Sequence, residues 1–179
     1  MEILAGFEER EQEIVDLFTA VFTASEGPEE GQLIGDLVSN LLYGTPNKDM
    51  FVFTAVANEA VMGAIIFSRL IYDKDERSVF LLAPIAVATG QQGKGVGQTL
   101  LSHGLAALRE AGVDIVMTYG DPNYYSRMGF TPLTEALAPA PFRLSQPEGW
   151  QGQSLTACKM TPLKGPARCV EALDDPAYW

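Results

Sequence analysis

The stretch from Leu81 to Leu101, LLAPIAVATGQQGKGVGQTLL, constrains this chain more than any other. An apolar run of strand length leads into a polar turn carrying Gly90, Gly93, Gly95 and Gly97, and a leucine-spaced helix follows. Ser78 to Val87 is almost wholly apolar, the pattern of a strand covered on both faces. Glycine admits positive φ and lets a ligand approach the backbone with no Cβ in the way. The first amides of a helix have no internal acceptor and favour an anion. Strand, glycine-rich turn and helix start together predict a phosphate cradle.

Three glycine patterns compete for this turn. The nucleotide-binding P-loop requires Lys then Ser or Thr after its last glycine. Here Gly90 and Gly95 have the spacing, but Val96 and Gly97 follow. The dinucleotide fingerprint begun at Gly93 and Gly95 needs a glycine where Gln98 stands. What fits is Gln92-Gly93-Lys94-Gly95-Val96-Gly97, which resembles the Q-x-x-G-x-G loop of the GNAT superfamily of acyl-CoA-dependent N-acetyltransferases. Downstream, Asp121-Pro122-Asn123-Tyr124-Tyr125-Ser126-Arg127-Met128-Gly129-Phe130 is similar to the family's Y-x-x-x-G-F segment, in a form that resembles a bacterial subgroup of predicted acetyltransferases. The resemblance is specific over residues 50 to 132. It implies an α/β fold (α+β by some schemes): a mixed, mostly antiparallel central sheet with splayed central strands, flanked by helices.

At 179 residues, one domain is expected, with residues 163 to 179 as a tail laid over the surface. The net charge of −11 argues against non-specific nucleic-acid binding and suits a cationic amine, though solubility explains acidity equally well. Cys158 and Cys169 form neither a disulfide framework nor a metal-ligand pattern, and His103 is the only histidine, so no metal is expected. No apolar run reaches membrane-spanning length and the N-terminus is acidic, so no membrane partner and a cytoplasmic location are expected. A homodimer burying the irregular C-terminal third is the expected assembly.

Taken in order, residues 1 to 6 predict a first strand, and 9 to 24 and 29 to 43 predict helices broken at Gly27-Pro28. Met50 to Ala57 and Ala60 to Tyr72 predict a hairpin about Asn58-Glu59, with Gly63 marking a bulge. Pro84 has no amide for a ladder, so a bulge or splay is expected near Pro84 to Ala86. A helix is expected over 97 to 111 and a strand over 114 to 120. A short helix capped by Asp121 at its start and Gly129 at its end follows. Phe142 to Ser145 and Ser154 to Met160 are read as the last two strands.

The resemblance also implies roles. Acetyl-CoA would lie with its pyrophosphate on the amides of Gln92, Gly93, Lys94, Gly95, Val96 and Gly97, with Lys94 either adding charge or remaining solvated. The backbone of Ile85, Ala86 and Val87 would take the pantetheine arm, and Asn123 would bond it. Tyr125 would act as general acid toward the departing thiolate, with Tyr124 as the adjacent alternative. Many family members carry an acidic residue on the strand before the loop. Leu81 to Val87 contains none, which leaves Glu29, Glu30, Asp36, Asp121 or a water chain as the base. Two functions follow: acetyl transfer to a primary amine by direct attack in a ternary complex, or a catalytically inactive acyl-CoA-binding module.

Overall fold

The computed structural model describes residues 1 to 179. Eight strands form one sheet in the order β1-β2-β3-β4-β5-β7-β6, with β8 on β3. By Cα proximity the chain forms two compact units, Met1–Phe67 with Pro84–Gly104, and Ser68–Ala83 with Leu105–Trp179. β3 (Ala60–Tyr72), β4 (Val79–Val87) and α3 (Val96–Glu110) each run through both.

In the first unit, β1 (Glu2–Ala5) pairs antiparallel with β2 (Met50–Ala57), from Glu2↔Val56 to Ala5↔Phe53. Between them come α1 (Glu11–Glu26) and α2 (Pro28–Gly44), joined by Gly27 alone. Gly27 has φ 100° and ψ 168°, a conformation that glycine adopts freely, and Pro28 starts the next helix where a missing amide costs nothing. The helix pair is close because Gly31 and Gly35 face Thr23 and Thr19, whose hydroxyls occupy the space a Cβ would need. Ile14 and Phe18 of α1 and Leu37, Val38, Leu41 and Leu42 of α2 are buried. The β2–β3 connection is Asn58-Glu59, with φ 51° and 66°. Two successive positive φ values mark the hairpin turn whose twist matches that of the flanking strands. Gly63 is a close-approach point where a Cβ would meet Leu100 at 2.9 Å, Ala86 O at 3.1 Å and Val96 at 3.3 Å.

In the second unit, β4 pairs parallel with β5 (Ile115–Tyr119), from Val79↔Ile115 to Leu82↔Thr118. The register stops there while β4 runs on to Val87. The strand expected to splay near Pro84 does so. β7 (Trp150–Ser154) pairs antiparallel with β5 on one side and with the two-residue β6 (Thr131–Pro132) on the other.

The C-terminal third departs from expectation. Residues 142 to 145 form no strand, and of 154 to 160 only Ser154 is extended, as the last residue of β7. Ser154 Oγ accepts from Thr156 N and Thr156 Oγ1 accepts from Cys158 N, so these side chains capture amides that a ladder would need. Residues 163 to 179 are not simply laid over the surface. β8 (Ala167–Arg168) pairs with Ile71 and Tyr72, and Trp179, 5% exposed, stacks on Tyr119 and meets Trp150 edge to face. Side chains fix this irregular backbone: Trp150 Nε1 donates to Ala138 O at 2.9 Å, Trp179 Nε1 to Leu173 O at 2.9 Å and Tyr72 OH to Pro139 O at 2.7 Å.

Candidate active site

In the first unit, the glycine-rich turn continues from the end of β4. Ala88 N donates to Met62 O at 2.8 Å, Thr89–Gln91 makes one tight turn, and Gln92 Nε2 reaches back to Val87 O at 3.0 Å. Val87 is therefore joined to the loop by a side-chain clasp as well as by the chain. Gly93 and Gly95 have φ 73° and 82°, and a Cβ built on either meets nothing within 4 Å. Gln92, Gly93, Lys94 and Gly95 are exposed, Val96 is buried and Gly97 half-buried.

Lys94 Nζ does not extend outward. It donates to Gly90 O at 2.9 Å and Gln91 Oε1 at 3.2 Å, bracing the turn with a cation over its own carbonyl. The first internal bond at the start of α3 is Thr99 N to Gly95 O at 3.0 Å, reinforced by Thr99 Oγ1 on the same carbonyl. Helix geometry leaves the amides before Thr99 to an outside acceptor. The open glycines give that acceptor access, so the loop has the chemistry of an anion seat.

The second unit carries α4 (Pro122–Tyr125). Asp121 caps it, with Oδ1 accepting from Asn123 N at 2.9 Å, and Gly129 ends the following turn at φ 88°. Tyr125 is 8% exposed, wedged edge to face between Tyr124 and Phe130 at centroid distances of 5.1 and 5.6 Å. Its ring also lies against Gly120, where an added Cβ would come within 2.9 Å of Cε2. Burial pushes the Tyr125 phenol up to about 12, and the charges of Tyr124 and Asp121 add to this, while a hydrogen bond with Thr118 works the other way. The phenol is thus a proton-bearing group throughout the neutral range. Burial also raises the half-buried Tyr124.

Asn123 is exposed, with its backbone amide committed to the cap. Of the acidic residues considered for the base, Asp121 serves as that cap and Asp36 accepts from Gln32 at 2.7 Å, while Glu29 is exposed and Glu30 half-buried. No three His, Cys, Asp or Glu residues come together as a metal site, and no helix is long and apolar enough to cross a membrane. Gln151 and Gln153 of β7 reach the Tyr125 segment, with Thr118 of β5 opposite Gln151, and the sequence reading missed them. Their only signal in the sequence is a polar residue within a short strand.

Comparison with known proteins identifies the chain. The acetyltransferase (GNAT) domain family model matches residues 47–132. The uncharacterized N-acetyltransferase YjhQ of Escherichia coli K12 is 35% identical over 141 residues, covering 76% of this chain and 77% of that protein. The chain belongs to the GNAT acetyltransferase family. A second relative, the uncharacterized N-acetyltransferase YhbS of the same organism, is 37% identical over 70 residues, covering 39% of this chain and 42% of that one.

Among solved structures, a GNAT acetyltransferase from Brucella melitensis in complex with acetyl-CoA is similar at TM-score 0.75 and 25% identity, over 97% of both chains. YhbS in complex with CoA is similar in fold at TM-score 0.72 and 23% identity, over 97% of this chain and 92% of that one. The mostly antiparallel sheet flanked by helices, with β4 splayed from β5, is the GNAT architecture.

Proposed function

We propose that this GNAT chain acts as a single domain that transfers an acetyl group from acetyl-CoA to a primary amine by direct attack in a ternary complex. The observation that carries the cosubstrate assignment is the exposed turn at Gly93 to Gly95, open at both Cβ positions and leading into unpaired helix amides. Gln92, Gly93, Lys94, Gly95, Val96 and Gly97 would seat the pyrophosphate through their amides. The contribution of Lys94 is to hold the turn rather than to meet a phosphate directly. Ile85, Ala86 and Val87 offer strand-edge groups to the pantetheine arm, and Asn123 offers an exposed amide side chain to it.

The chemistry sets the proton balance. The amine nitrogen loses one proton as its bond to the acetyl carbon forms, and the sulfur gains one as the thioester bond breaks. Tyr125 supplies the sulfur and is recharged from the amine side through solvent. A buried phenol is a weaker acid than a thiol, whose ordinary pKa is about 8.5. Tyr125 therefore first hydrogen-bonds the sulfur as charge builds, and net transfer follows as the amine releases its own proton.

Gly95→Glu tests the cosubstrate assignment. Acetyl-CoA affinity by calorimetry is expected to fall roughly tenfold or more, about 1.4 kcal/mol, with the circular dichroism spectrum retained. Unchanged affinity removes the cradle. The absence of an acidic residue from Leu81 to Val87 favours a second reading, an acyl-CoA-binding module without turnover. Thiol release across a panel of small amines, peptides and protein lysines separates the two, since the second reading expects saturable binding and no release.

A further inference from the structure

β7 carries a Gln-Gly-Gln sequence in which residues 151 and 153 share one face of the strand, because side chains alternate. Both reach across to the segment that bears Tyr125. Gln151 Nε2 donates to Gly120 O and to Gly149 O, each at 3.3 Å. Gln153 Nε2 donates to Met128 O at 3.0 Å. Gly120 is the residue before the Asp121 cap, and Met128 closes the turn after α4, so the two amides hold the two ends of the Tyr125 segment.

The orientation of Gln151 is fixed by its partners. Two carbonyls demand the NH2 group, and turning the amide over would set its oxygen against both. That choice leaves Gln151 Oε1 buried without a partner in a residue 1% exposed. An unsatisfied buried acceptor costs about 1–3 kcal/mol. An apolar residue on β7 would avoid this cost but would take the side-chain donor from Gly120 O, while Gly149 O would keep the Gly120 amide at 3.0 Å. Register places Gln151 opposite Thr118, whose hydroxyl donates to Leu82 O at 3.1 Å.

We infer that Gln151 and Gln153 form a two-point clamp that positions Tyr125 for proton donation. They act on the backbone at Gly120 and Met128 and do not touch the reacting atoms themselves. The inference rests on the proposed role of Tyr125 as the acid.

The test is a double-mutant cycle on the full chain with acetyl-CoA and an accepted amine. Gln151→Met removes the donor at similar length, and Gln153→Met does the same at the other end. Each is expected to lower kcat about tenfold with acetyl-CoA KM within about twofold, the signature of an interaction lost in the transition state. In a Tyr125→Phe background, the same substitutions should cost nothing further, because the clamp acts only through the phenol. A structural role would make the losses additive, which overturns the clamp. Full kcat in both glutamine variants also overturns it.

If Gln151→Met does not fold, Gln151→Glu keeps the shape and sets a carboxylate against the two carbonyls; unimpaired kcat in that variant counts against the clamp. A silent Tyr125→Phe removes the acid assignment and the clamp together. A costly Tyr125→Phe with additive glutamine variants removes the clamp alone.

Discussion

Tyr125 is held by Gly120, Phe130 and Tyr124, and its neighbour Tyr124 points its ring roughly perpendicular, at 86°. The two phenols therefore cannot exchange roles. Tyr125→Phe is expected to lower kcat about 10²-fold with acetyl-CoA affinity retained, the range for a positioned proton donor. Tyr124→Phe should leave kcat within a few-fold, and steady-state kinetics with calorimetric affinities distinguishes the two. Because burial holds the Tyr125 phenol near 12, its proton is present below that value and lost only above it. The pH–rate profile should therefore show no alkaline loss from this residue through pH 10. An alkaline limb below pH 10 that disappears in Tyr125→Phe would show a phenol less shifted by burial while supporting its role as the acid. Glycine spacing made the open turn at Gly93 and Gly95 legible at this scale, because it acts within six residues. Gln151 and Gln153 were not legible, since their partners lie 31 and 25 residues away in sequence.

The β2–β3 hairpin shows what a strand needs in order to be read. Both strands were bounded correctly, because β-branched and aromatic residues fill them and two residues alone separate them. Its turn is nevertheless strained. Asn58 tolerates a positive φ, whereas Glu59 at 66° has a Cβ close to its carbonyl. Glu59→Gly is expected to stabilise the protein by about 1 kcal/mol and raise Tm by about 2–4 °C, as measured by calorimetry. An unchanged or lower Tm would mean that the extra backbone freedom glycine gives the unfolded chain offsets the relieved strain. β7 was unreadable for the opposite reason. Trp-Gln-Gly-Gln-Ser is poor in strand formers, and its conformation comes from the ladders on either side. β8 and β6, two residues each, carry no periodicity at all.

At the scale of the whole chain, long separations are tied by a few polar contacts. Arg77 makes a forked pair with Asp75, at 2.9 and 2.7 Å, and also donates to Thr161 O and Pro162 O, while Lys164 N donates to Asp75. The Arg77 hydrogen bond holds the Asp75 carboxyl well below the usual carboxylate range. A depressed folded pKa stabilises the protein above the unfolded value, near 4, and that contribution fades as pH falls through the folded one. Asp75→Asn is therefore expected to cost about 1–3 kcal/mol at pH 7 and progressively less below pH 4, measured by urea titration at several pH values. A deficit independent of pH would show that the charge is not what matters.

The chain crosses between its two compact units inside β3, inside β4 and inside α3. Neither unit is a continuous stretch, so no single gene fragment encodes one. A chimera with a relative such as YjhQ that joins the parents at any of these crossings would break a strand or helix in mid-course. A breakpoint at the Asn58-Glu59 connection keeps every element whole and spares the Asp75–Arg77 ties, so that is where this sequence is expected to tolerate recombination.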